Sequence, residues 1–187
     1  AAAGGSISSS GWFNSAAATT LATAITNNEY YEFTLPVNAG FTADITAVAF
    51  YIRSSATGPN TATLRSSADA YTADLGTATA IPNAAASLYT LPVTLTGISG
   101  TLTFRLYGWG GASGGGTPST GGTMRIGTSP TALADDLDIF GTTAVASTCS
   151  ATLTSAPGTN AQTVCISTAI VPITYSTIGA TGATFTG

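Results

Sequence analysis

The 187-residue chain has four arginines, eight acids, no lysine and no histidine, for a formal net charge of −4 and a charged fraction of 6%. Without histidine, Ser-His, Cys-His and imidazole-zinc chemistry are excluded, and without lysine so are Schiff bases and phosphate-loop lysines. So few cations leave no electrostatic footprint for nucleic acid or an anionic membrane surface, and no apolar run approaches the roughly 20 residues that cross a bilayer.

The opening "AAAGGSISSSG" reads as what remains after a small-residue cleavage site, the start of a mature exported chain. Strand-type runs then follow in order: "EYYEFTLPV" (29–37), "FTADITAVAFYIR" (41–53), "TATLRSS" (61–67), "LYTLPVTL" (88–95), "TLTFRLYGW" (101–109), "GTMRIG" (122–127) and "DLDIFG" (136–141). Each is β-branched or aromatic, and Gly, Pro, Asn and Ser sit between them. No segment sustains a capped helical period; "ADAYTADLG" and "SPTALADD" offer a turn or two at most. Short strands at this spacing predict an all-β fold, a jelly-roll-like antiparallel β-sandwich.

Alternation assigns the faces. In 101–109, Leu102, Phe104 and Leu106 fall on one side and Arg105, Tyr107 and Trp109 on the other. In 88–95, Tyr89, Leu91, Val93 and Leu95 form an apolar face. The strand 41–53 is apolar on both sides, with Ile45, Ala47, Ala49 and Tyr51 opposed to Val48, Phe50 and Ile52, as expected of a covered central strand.

The composition breaks after Asp138, since the 49 residues from Ile139 to Gly187 carry no charge. This predicts two units, 1–145 as the sandwich and 146–187 as a different, partial β module. Cys149 and Cys165 lie 16 positions apart in β-type contexts around the turn-forming "PGTN". A cross-strand disulfide between them is expected, adding about 3 kcal/mol in the chain-entropy model, in keeping with an oxidising, extracellular compartment. Two buried thiols in a reduced compartment are the alternative.

The order "EYYEFTLPVNAGFTADITAVAFYIRSSATGPNTATLRSSADAYTADLG", "LTGISGTLTFRLYGWGGASGGGT" and "MRIG…DDLDIFG", covering about 29–141, resembles a domain near the start of large secreted proteins of Bacteroidota. The segment "CSATLTSAPGTNAQTVCISTAIVPITYSTIGATGATFTG" resembles the opening of the immunoglobulin-like, PKD-like repeats that follow in those proteins. The resemblance implies export by the type IX secretion system, an extracellular cell-surface location and a non-catalytic adhesive role, in some relatives for gliding motility. It also implies that Gly187 ends a piece of the natural polypeptide, and it leaves no sorting domain within this chain.

The candidate sites follow from residue type. An arginine in an apolar strand needs a partner, so Arg53, Arg65, Arg105 and Arg125 are expected to pair with Glu32, Asp69, Asp74 or Asp138 or with loop carbonyls. Alternatively Arg105, Tyr107 and Trp109 form an exposed strip, with the indole stacking on a sugar ring and the guanidinium binding hydroxyls or a carboxylate, unless the glycine-rich loop 110–122 covers it. Asp135, Asp136 and Asp138 offer hard oxygen ligands for calcium, the one cofactor in view; a solvated acidic turn is the alternative. Glu29 and Glu32 point to opposite strand faces and make no local acid/base pair.

The expected function is thus a structural and adhesive module, with a surface glycan or protein ligand, sister repeats or neighbouring subunits as partners, and neither nucleic acid nor membrane insertion. A carbohydrate-binding module of a secreted enzyme is a second reading. A self-assembling filament subunit, donating its uncharged tail as a strand, is a third.

Overall fold

A computed structural model of the chain describes residues 6–13, 20–127, 137–146 and 150–179. The chain divides into two compact units, Ala1–Ala144 and Val145–Gly187.

The first unit is an all-β antiparallel sandwich with a short helix. Its elements are β1 (Ile7–Ser10), α1 (Leu21–Asn27), β2 (Tyr30–Pro36), β3 (Phe41–Ser54), β4 (Pro59–Ser66), β5 (Gly76–Ala78), β6 (Ser87–Ile98), β7 (Thr101–Ala112), β8 (Thr123–Ile126) and β9 (Leu137–Val145). One sheet runs β1-β8-β3-β6, with β9 also on β3, and the other runs β2-β7-β4-β5. The pairs nest, β4 with β5 inside β3 with β6, inside β2 with β7, inside β1 with β8, and successive pairs alternate between sheets. That is the jelly-roll connection.

The core lies where the two inner faces meet. Leu102, Phe104 and Leu106 of β7 and Leu91 and Val93 of β6 are buried in it, with Tyr89 and Leu95 packed at its border, as their alternation predicts. Phe33 stacks on Phe104 with ring centroids 5.3 Å apart. Trp12 packs edge-on to Tyr31 at 4.9 Å and lies over Gly108.

The strand β3 departs from simple alternation. Register shifts at Ala43/Ile45 and Ile45/Ala47 insert a bulge, so Ala43 and Ile45 point into the core together with Val48, Phe50 and Ile52. Ile45 thus leaves the face that alternation gave it. Ala47, Ala49 and Tyr51 are carried on the outer face instead.

The helix α1 corrects the all-strand reading. Thr20 caps it, its hydroxyl accepting from Thr23 N–H at 3.2 Å, and Asn28 closes it at φ 57° with its N–H on the carbonyls of Ala24 and Ile25. It packs against β7 through the buried Ala24. "SPTALADD" lies outside the described residues.

The second unit, taken by itself, contains an antiparallel pair, β10 (Ser150–Leu153) with β11 (Tyr175–Ile178). Gln162 ties the long connection between them, donating to the carbonyls of Thr159 at 2.6 Å and Val171 at 2.8 Å and accepting from Val171 N–H at 2.9 Å. Its amide therefore does for the loop what a strand partner does for a strand.

Candidate functional site

Because β7 is flanked by β2 and β4, the outward row of "TFRLYGW" is built from three strands. Register places Glu32 and Arg65 on either side of Arg105, Tyr30 and Thr63 on either side of Tyr107, and Thr61 beside Trp109.

Arg105 has one carboxylate and two aromatic rings as partners. Its Nε donates to Glu32 Oε2 at 2.9 Å, and its guanidinium carbon lies 4.4 Å from the Tyr30 ring centroid and 4.1 Å from that of Tyr71. The Glu32 hydrogen bond, outweighing partial desolvation and helped by Tyr107, Tyr30 and Tyr71, pushes the Arg105 pKa still higher than usual. Beside it, Arg65 donates Nε to Asp74 Oδ1 at 2.7 Å and Nη1 to the Tyr71 carbonyl at 2.9 Å. Two arginines thus stand side by side, each neutralised by its own carboxylate, as the paired reading expects for Glu32 and Asp74. These pairs are solvent-accessible, so each is worth only about 0.2–1 kcal/mol.

Tyr71 reaches Arg105 by way of an unusual turn. Ala70 and Tyr71 both adopt the left-handed conformation, at φ 59° and 62°, which costs non-glycine residues about 1–2 kcal/mol each. The turn is held by Tyr71 N–H on Ser66 O at 2.8 Å and by Asp69, whose carboxylate accepts from Ala73 N–H at 2.7 Å and from the Thr72 hydroxyl at 3.1 Å. Those bonds, led by the one from Ala73, hold the Asp69 carboxyl below its ordinary pKa. Asp69 caps its own loop and takes no arginine.

The expected exposed strip is interrupted at its centre. Tyr107 is only 2% exposed and meets the Tyr30 ring edge-on at 5.2 Å, so it belongs to the packed layer. A tyrosine flanked in register by a second aromatic loses its exposure to the neighbour. Trp109 is half-buried, and its indole N–H donates to Thr63 Oγ1 at 2.8 Å, which in turn lies 3.0 Å from Thr77 Oγ1. The glycine-rich loop does not cover this face: Ser113, Gly114 and Ser119 hydrogen-bond to Gly58, Ala56 and Thr57 in the β3–β4 turn. Thr63 is itself buried, so what the face offers a ligand is one partly open indole and the exposed Thr77 hydroxyl beside it.

The other expected sites are partly out of view. Asp135 and Asp136 lie outside the described residues, and Asp138 sits on β9 beside a shallow trough. Among the described residues no group of three or more His, Cys, Asp or Glu side chains is placed to hold a metal ion. Cys149 also lies outside the described residues, and Cys165 is exposed. Among the described residues no helix is long and apolar enough to cross a membrane.

The sequence reading missed Tyr30 and Tyr71 as partners of Arg105, because rings contributed by β2 and by a turn become its neighbours only through sheet register. Glu29 is buried, and its Oε1 accepts from Asn27 Nδ2 at 3.3 Å beside a small polar pocket lined by Ser9, Ser10 and Asn28. No protein family, characterised protein or solved structure matches the chain in the comparisons made.

Proposed function

We propose that the chain is a non-catalytic structural and adhesive module of a large extracellular cell-surface protein, followed by immunoglobulin-like, PKD-like repeats and exported by the type IX route. The observation that carries this reading is the braced outer face of the β2-β7-β4-β5 sheet. Its two arginines are each taken up by a carboxylate, and one of them is also clamped between two rings. Such a face gains rigidity from its charges and keeps none of them poised for proton transfer. The β10-β11 pair supports the repeat reading, since a two-stranded ribbon is marginal alone and gains stability from further strands, whether of its own repeat or of a neighbouring subunit.

Intact mass and surface labelling of the native protein test the proposal. A mass far above 18.4 kDa together with labelling from outside the cell is the expected result. A native protein of the chain's own mass, or one inaccessible from outside, overturns it.

The half-buried Trp109 favours a second reading, a carbohydrate-binding module attached to a secreted enzyme. A glycan array resolves it: binding that quenches indole fluorescence and is lost in Trp109→Ala supports the module, and binding unaffected by that substitution rejects Trp109 as its platform.

A further inference from the structure

The arginines of the opposite sheet are treated differently. Arg53 on β3 and Arg125 on β8 are direct cross-strand partners, and Ser8 on β1 continues their row. Like charges facing each other across a ladder destabilise it. Each side chain has an acceptor of its own: Arg53 Nη1 donates to the Ala84 carbonyl at 3.0 Å and Arg125 Nε to Ser8 Oγ at 3.2 Å. Both acceptors are neutral, and the ion pairs among the described residues go to Arg65 and Arg105. Each guanidinium has five N–H donors, so most of them remain for a ligand.

The two arginines line a cavity of about 270 Å³ together with Ser54, Ser55, Asn83 and Thr123. The outward row of β3 then leads away from it. Tyr51, two residues before Arg53 and therefore roughly 7 Å away on the same face, opens a trough of about 460 Å³ whose lining includes Ala47, Ala49, Leu88 and Phe140. The small alanines make the floor. Leu88 on β6, 53% exposed, and Phe140 on β9, 49% exposed, rise beside it, and Asp138 and Thr90 supply the polar groups.

The geometry points to a binding cleft on the outer face of this sheet for an acidic polysaccharide, with one uronate carboxylate held by Arg53 and Arg125 and a neutral sugar lying along the Tyr51–Phe140 trough. Paired guanidinium forks match an oxyanion. Aromatic rings match the apolar faces of pyranoses, and Thr90, Asn83 and Asp138 match their hydroxyls. Asp138 opposes a second acid in the trough, and the chain's net charge of −4 opposes a dense polyanion such as a nucleic acid. An acid group spaced by neutral sugars is what remains. That its source is a surface glycan rests on the adhesive reading; the cleft itself does not.

The test is calorimetric titration of the full chain with a hyaluronan hexasaccharide, in which uronate and neutral sugars alternate, against maltohexaose and sodium sulfate. Hyaluronan is expected to bind and to raise Tm, with maltohexaose and sulfate each far weaker. Arg53→Gln and Arg125→Gln should each weaken binding about 10- to 100-fold, Tyr51→Ala about 3- to 10-fold, and Asp69→Asn on the other sheet not at all. A second readout guards against misfolding: without ligand, Arg53→Gln relieves the like-charge pair and should raise Tm by about 1–3 °C. Affinity that survives both arginine substitutions, maltohexaose binding equal to hyaluronan, or an effect of sulfate alone as large as that of the hexasaccharide overturns the proposal. Native mass and surface labelling bear only on the adhesive reading, so the two can fail separately.

Discussion

Arg105 on β7 and Glu32 on β2 are direct register partners, and the Nε–Oε2 hydrogen bond of 2.9 Å joins them across the outer face of the sandwich. Because the Glu32 side chain is 43% exposed, the coupling is small. A double-mutant cycle of Glu32→Gln and Arg105→Gln is expected to give about 0.2–1 kcal/mol, shrinking as salt is added. Arg105→Gln alone should cost more, about 1–2 kcal/mol, because it also loses the Tyr30 and Tyr71 rings. Equal losses for the two single substitutions in urea unfolding would show that the rings contribute nothing.

The left-handed pair Ala70–Tyr71 predicts a stabilising substitution. Glycine accepts φ 59° without the clash of a Cβ, so Ala70→Gly should raise stability by about 0.5–1 kcal/mol after its larger unfolded-state entropy is subtracted. A lower urea midpoint for Ala70→Gly contradicts the strain argument.

At Gly108 the Trp12 ring takes the place of a side chain. A Cβ there would come within 2.6 Å of Trp12 Cε3 and 3.1 Å of Met124 Cε. Gly108→Ala must displace a buried indole that is anchored by its N–H to Ser9 O at 2.8 Å, and overpacking of this kind costs about 1–3 kcal/mol. A red-shifted emission from Trp12, measured in the Trp109→Phe background, should accompany the loss; unchanged stability and emission would refute the packing.

Tyr31 predicts an alkaline limb. Burial pushes its hydroxyl up to about 12, against smaller opposing effects of Ser9 and Arg125, and its O–H donates to the Met124 carbonyl at 2.6 Å. The folded pKa exceeds the unfolded value of about 10, so the contribution is complete below pH 10 and is lost as pH rises from about 10 to 12, on the order of 2 kcal/mol. Tyr31→Phe should lower stability near neutrality by about 1 kcal/mol while flattening the decline between pH 10 and 12. Tyr89, also raised by burial, leaves a residual slope of the same sign. An unchanged alkaline limb in Tyr31→Phe would assign it elsewhere.

What the sequence determines by itself is local in origin. A two-residue period places Leu102, Phe104 and Leu106 in the core and Arg105 and Trp109 away from it, because successive side chains of a strand must alternate whatever its partners. The absence of histidine and lysine from the sequence excludes the chemistries that need them before any fold is known. Everything that depends on neighbours waits for the tertiary structure. The bulge in β3 that turns Ile45 inward is a property of the β3–β6 pairing, and the burial of Tyr107 needs Tyr30 beside it. Arg65 and Arg105 find carboxylates whereas Arg53 and Arg125 find each other across 72 positions of sequence. All four look alike in the chain, each an arginine in an apolar strand; sheet order alone separates the braced pair from the open one, because charge interactions act through space and adjacent strands here come from opposite ends of the sandwich sequence.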